Sequence, residues 1–121
     1  MKKYAIMILS DLSNGSEESL GRVLNGLVLA NDLKTRKIEF LILFQGAGTR
    51  SINILEDQAH PGHALYKNVK PQIQGASKAC SIVFKANITT VPLLNEFDIP
   101  GIGGATSIAK YMLEQYDVVS F

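Results

Sequence analysis

Two apolar runs constrain this chain more than any other feature: Tyr4-Ala5-Ile6-Met7-Ile8-Leu9, and Ile38 to Phe44, broken only by Glu39. A strand with one wet face alternates apolar and polar residues. A run that does not alternate is covered on both faces, as in a parallel sheet. Between the runs lie a polar loop, Asp11 to Gly15, and then a helical pattern. Asn14 or Ser16 suits the helix cap, and Glu17 and Glu18 suit its positive end. Leu20, Val23, Leu24, Leu27, Val28 and Ala30 recur at helical spacing as a core stripe through about Leu33, and Lys34, Arg36 and Lys37 close the helix. Strand, helix, strand is a βαβ unit, which is almost always right-handed.

The rest of the chain repeats the alternation. The pattern predicts a short helix over Ile52 to Glu56, a turn over Asp57 to Gly62, and a helix from Ala64 to about Val69, limited by Pro71. Ile73 to Ala79 reads as a short strand and Ile82 to Ala86 as helix. Thr89 or Thr90 is placed to cap a further short helix holding Leu93, Leu94 and Phe97. Pro100 to Gly104 reads as a loop. Thr106 or Ser107 opens the last helix, with Ile108, Ala109, Met112 and Leu113 inward, and Tyr116 to Phe121 forms a final strand. The expected architecture is one α/β domain over residues 1–121, a three-layer sandwich with a mostly parallel sheet. A chain of this length buries roughly two-thirds of its unfolded surface without staples.

Composition excludes several function classes. Lys and Arg number 12 against 11 Asp and Glu, a net charge of +1, so no electrostatic case exists for nucleic acid or an anionic membrane. Met1-Lys2-Lys3 resembles the charged start of a signal peptide, but the apolar run that follows is short and ends at Asp11. A buried first strand is the expectation. No segment has the length of a membrane span. One cysteine forms no internal disulfide, which suits a reducing cytoplasm.

Parallel sheets bind ligands outside the carboxyl ends of their strands. Ser10 to Ser16, Gln45 to Arg50 and the loop around Ser77 to Cys80 should gather at that edge. Gln45-Gly46-Ala47-Gly48-Thr49-Arg50 is a candidate anion site, with Ser10 and Asp11 beside it. Gly46 and Gly48 let backbone N–H groups approach a ligand, Thr49 adds a hydroxyl and Arg50 a cationic fork. It matches neither a dinucleotide fingerprint nor a Walker A loop, and a tight turn with a surface Arg explains it equally well. Asp11 is as well suited to capping as to binding. Gly101 to Gly104 before a helix reads as an ordinary turn. Asp57, His60 and His63 lack the fuller ligand set of a metal site. His63 remains a candidate acid–base group for Cys80.

Cys80 is the one nucleophile with a distinctive setting. It precedes a predicted helix, and Lys78 stands two residues before it. The helix dipole and a nearby cation favour thiolate, the form that attacks sulfur. A free cysteine is also commonly a small packed hydrophobe, so two readings stand.

The chain resembles the DsrE/DsrF-like family of small α/β proteins. The resembling residues are Tyr4 to Ser10, Gly15 to Val23, Leu43-Phe44-Gln45-Gly46-Ala47-Gly48-Thr49-Arg50, His60-Pro61-Gly62-His63-Ala64-Leu65-Tyr66, Cys80 with Val83-Phe84, and Tyr116 to Phe121. The resemblance implies a flavodoxin-like core without flavin or other cofactor, and a homo-oligomer, commonly a trimer or hexamer. It also implies that Cys80 carries sulfur as a persulfide between a donor and an acceptor protein. Relatives often show an additional cysteine just before this one, where Ser77-Lys78-Ala79 stands here. A small-anion or nucleotide-binding module, with Cys80 only packing, is the competing expectation.

Overall fold

The computed structural model describes residues 1–121. The elements in chain order are β1 (Lys3–Ile8), α1 (Glu17–Thr35), β2 (Phe40–Phe44), α2 (Ser51–Leu55), α3 (His63–Val69) and β3 (Ile73–Ser77). They continue with α4 (Lys78–Val83), β4 (Leu93–Leu94), β5 (Phe97–Ile99), β6 (Gly103–Ala105), α5 (Ile108–Leu113) and β7 (Tyr116–Ser120). Five strands form one parallel sheet in the order β4-β3-β2-β1-β7. The fold is therefore the expected α/β sandwich, consistent with a flavodoxin-like arrangement. No helix is long and apolar enough to cross a membrane.

The apolar runs behave as central strands should. Ala5 pairs with Leu41 on one side and Val118 on the other, and every residue of β2 is buried. Ile6, Ile8, Phe40, Ile42 and Phe44 point to one face and meet Val23, Leu27, Ala30 and Leu33 of α1. Each such side chain contributes about 1.5–3 kcal/mol by leaving water. Ser16 caps α1 by accepting from the Ser19 N–H (3.0 Å), with Glu17 and Glu18 in the first turn. Val28, read as part of the core stripe, is half exposed and turns off the buried face.

Ala5, Leu41 and Leu43 point to the opposite face, by the two-residue period of a strand. There they meet Tyr111 of α5, with Leu94, Tyr116 and Val118 partly buried around them. This second layer is thin, because α5 has only six residues.

Four expectations are corrected. Leu93, Leu94 and Phe97 lie in strands, not in a helix. Pro92 biases its predecessor toward extended backbone, and Leu93–Leu94 pair with Ala76–Ser77. Phe97–Ile99 then pairs antiparallel with Gly103–Ala105, so the Pro100-to-Gly104 loop shrinks to the turn of a hairpin. The helix expected over Ile82–Ala86 runs instead from Lys78 to Val83, because Ser77 caps it and the positive φ of Lys85 ends helical geometry. In α5 the inward residue is Tyr111, while Met112, Leu113 and Ala109 are exposed. Tyr111 is drawn in by Glu96, whose carboxylate accepts from the Tyr111 hydroxyl (2.7 Å), Lys110 Nζ (2.8 Å) and the Ser107 N–H (3.1 Å).

Candidate functional site

The carboxyl ends of β1, β2 and β3 bring Ser10–Asp11, Gln45 and Ser77 to one edge of the sheet, as parallel strands must. β1 and β2 are joined there by the Gln45 N–H donating to the Ile8 carbonyl (3.0 Å). Leu12 to Asn14 forms a single 3-10 turn, which Asp11 caps by accepting from the Ser13 N–H (2.8 Å) and hydroxyl (2.6 Å). Ser51, which sequence reasoning passed over, fastens this turn to the next segment. Its buried hydroxyl donates to the Ser10 carbonyl (2.7 Å) and accepts from the Leu12 N–H (2.9 Å).

Gly46 to Arg50 is a 3-10 segment rather than an open cradle. Gly46 takes a left-handed φ of 56°, and Gly48 packs flat against the end of β1. Thr49 is fully buried, and its hydroxyl donates to the Gly46 carbonyl (2.8 Å). Gln45 is buried too, and its Oε1 has no hydrogen-bond partner. Arg50 is spoken for on two sides: Nε donates to the Phe84 carbonyl (2.7 Å) and Nη1 to Asp11 Oδ2 (3.0 Å). Phe84 is the last residue of the α4 region, so this contact satisfies a carbonyl at a helix C-terminus, where a cation is favourable. Burial pushes the Asp11 carboxyl up, but the Ser13 and Arg50 hydrogen bonds together hold it below the ordinary carboxylate range.

Cys80 is a free, half-buried thiol in the first turn of α4. Its N–H donates to Ser77 Oγ (3.3 Å), which fixes the turn where β3 ends. Ala79 and Ser81 on either side are buried, while Lys78, Ile82 and Val83 are exposed. Arg50 meets this helix about one turn beyond Cys80, at Phe84.

His63 opens α3 and belongs to a different neighbourhood. Its Nδ1 lies 2.8 Å from the Leu55 carbonyl, which only accepts, so Nδ1 carries the proton. The ring borders a small cleft with Glu56, Gln58, Tyr66, Lys67 and Lys70. His60 Nδ1 accepts from the Gly62 N–H (3.0 Å). No three His, Cys, Asp or Glu side chains gather as metal ligands.

A larger crevice, of about 410 Å³, opens where β1 and β7 end. It is lined by Leu9, Ser10, Arg22, Ser120 and Phe121. Ser10 was expected at this edge, whereas Arg22, Ser120 and Phe121 were not. None of the three left a sequence signal, since only the pairing of β7 beside β1 brings Ser120 and Phe121 next to Leu9 and Ser10.

Comparison with protein-family models, curated proteins and solved structures finds no match to the chain. The DsrE/DsrF-like resemblance therefore rests on the residues quoted for it, and the parallel α/β sheet on the strand pairing.

Proposed function

We propose that the protein is a sulfur carrier of DsrE/DsrF-like type, using Cys80 alone. The observation that carries this reading is a free thiol, half-buried, on the first turn of a helix at the carboxyl edge of β3. That edge is where parallel sheets place their chemistry. In the first step the Cys80 thiolate attacks the outer sulfur of a donor persulfide. The donor S–S bond breaks, the donor leaves as thiolate, and Cys80 holds the sulfur as a persulfide. An acceptor thiolate then attacks that outer sulfur and regenerates the Cys80 thiolate. Neither step consumes an oxidant or a reductant.

The scheme asks nothing of Arg50, whose guanidinium bonds Asp11 and the Phe84 carbonyl at the end of α4. The reading includes a reducing, cytoplasmic setting and a homo-oligomer. Exposed Ile82 and Val83 on α4 support the oligomer, and light scattering measures it. The deciding experiment is incubation with a sulfane donor, followed by intact and peptide mass with and without reductant. One reducible sulfur at Cys80, absent from Cys80→Ser, is expected. No such adduct on a folded protein ends the proposal.

A further inference from the structure

His63, read from the sequence as a partner for Cys80, borders a cleft of its own that sulfur transfer leaves unused. One face of α3 builds most of it. His63, Tyr66, Lys67 and Lys70 recur at helical spacing along α3 and the residue that ends it, so they stand in one row. Glu56 and Gln58, just past α2, complete the lining. The cleft encloses about 280 Å³, just under the range of drug-sized sites, so its occupant is a smaller molecule.

Most of the polar atoms there already have partners. Glu56 accepts from the Tyr66 hydroxyl and from Lys70 Nζ (2.9 Å). Burial pushes its carboxyl up, but bonds from Tyr66, Lys70 and Thr90 together hold it below the ordinary carboxylate range. Asp57, next to it in sequence, accepts from the Ala59 N–H (2.9 Å) and does not line the cleft. Left over are the Gln58 amide, one nitrogen of His63 and the Lys67 ammonium. His63 Nδ1 donates to the Leu55 carbonyl (2.8 Å), so Nε2 is a bare acceptor. Lys67, one helical turn on, is exposed and enters no ion pair. From Gln58 to Asn95 the chain holds no Asp or Glu to claim it. An acceptor beside a free ammonium calls for a ligand with a donor beside an anion. The charges agree, since Lys67 and Lys70 against Glu56 leave one positive charge for a monoanion. A dianion would bring one charge too many, and a metal ion would meet two ammonium groups.

We propose that this cleft binds a small 2-hydroxy acid, its carboxylate on Lys67 and its hydroxyl donating to His63 Nε2. Cys80 takes no part in it. The test is a two-dimensional amide NMR titration of the full chain with lactate, propionate, lactamide and inorganic phosphate. Saturable millimolar shifts of Gln58, His63 and Lys67 are expected with lactate. Propionate lacks the hydroxyl and lactamide lacks the charge, so each should bind about fivefold more weakly or worse. Phosphate should bind no tighter than propionate. Lys67→Gln, which removes an exposed charge, should keep the dispersed spectrum and bind lactate about fivefold more weakly or worse. His63→Phe should bind lactate and propionate alike, a ratio that general loosening of the fold does not move. If His63→Phe fails to fold, the ligand series and Lys67→Gln decide. The proposal is overturned by absent or non-saturating shifts, or by lactate and propionate binding the parent equally. Unchanged lactate binding in Lys67→Gln, a lactate preference kept in folded His63→Phe, or phosphate matching lactate would overturn it as well.

Discussion

Gly48→Ala should be the most damaging single-methyl addition at the carboxyl edge. A Cβ built at Gly48 falls 2.9 Å from both the Ile8 and Leu9 carbonyl carbons, and closer still to the Ile8 oxygen. These are backbone atoms of the central strand, so no side-chain rotation relieves the clash. Relief requires the Gly46–Arg50 segment to move off β1, which stretches the bond from the Gln45 N–H to the Ile8 carbonyl (3.0 Å). That bond is worth about 1 kcal/mol, and overpacking costs about 1–3 kcal/mol. The expected loss is about 2–4 kcal/mol. For 121 residues that is a fall in Tm of about 8–16 °C, at about 4 °C per kcal/mol. Gly46→Ala is the control. Its φ is 56°, yet its only close neighbour is Leu9 Cδ2 at 3.7 Å, so strain alone should cost about 1 kcal/mol. Urea unfolding followed by circular dichroism reads both. A Gly48→Ala protein within about 0.5 kcal/mol of the parent, or no worse than Gly46→Ala, would refute the close-approach argument.

Asp11→Asn should cost about 1 kcal/mol in urea unfolding, because the cap survives but the charge facing a 40% exposed Arg50 is lost; a cost above about 3 kcal/mol would contradict this. Glu96 is held below the ordinary carboxylate range because donors from Lys110, Tyr111 and Ser107 together outweigh its burial. A depressed folded value stabilises above the unfolded one and is lost as pH falls through it, as for Asp11. The urea midpoint should therefore drop between about pH 5 and pH 3, and drop less in the Asp11→Asn, Glu96→Gln double variant. Tyr111→Ala should cost about 3–5 kcal/mol and Leu113→Lys under about 0.5 kcal/mol, since the first is 2% exposed and the second 80%. The reverse order would restore the inward placement of Leu113.

The central sheet was readable because its determinants are local. Tyr4–Leu9 and Ile38–Phe44 announce doubly covered strands by composition alone, and Ser16 caps α1 as its hydroxyl permits. The bounds of α4 were missed for a local reason, the Ser77 cap and the positive φ of Lys85; the other errors share a cause, which is contact between residues far apart in sequence. Leu93–Leu94 becomes strand by pairing with Ala76–Ser77. Tyr111 turns inward because Glu96, fifteen positions earlier, holds its hydroxyl. The Asp11–Arg50 pair left a usable trace, since opposite charges just past neighbouring parallel strands should meet. Arg22 left none. With Glu18 four residues before it, it reads as an ordinary surface pair, and only the folded chain brings it beside Ser10, Ser120 and Phe121.

The unequal covering of the two sheet faces has a dynamic consequence. The side under α1 holds a large contiguous apolar cluster, while the side under α5 is closed by a single short helix and a few half-wet residues. Segments so lightly fastened detach without the remainder unravelling. Amide protons of α5 and β7 should therefore trade with heavy water through partial openings. Those of β2 should wait for the whole molecule to come apart.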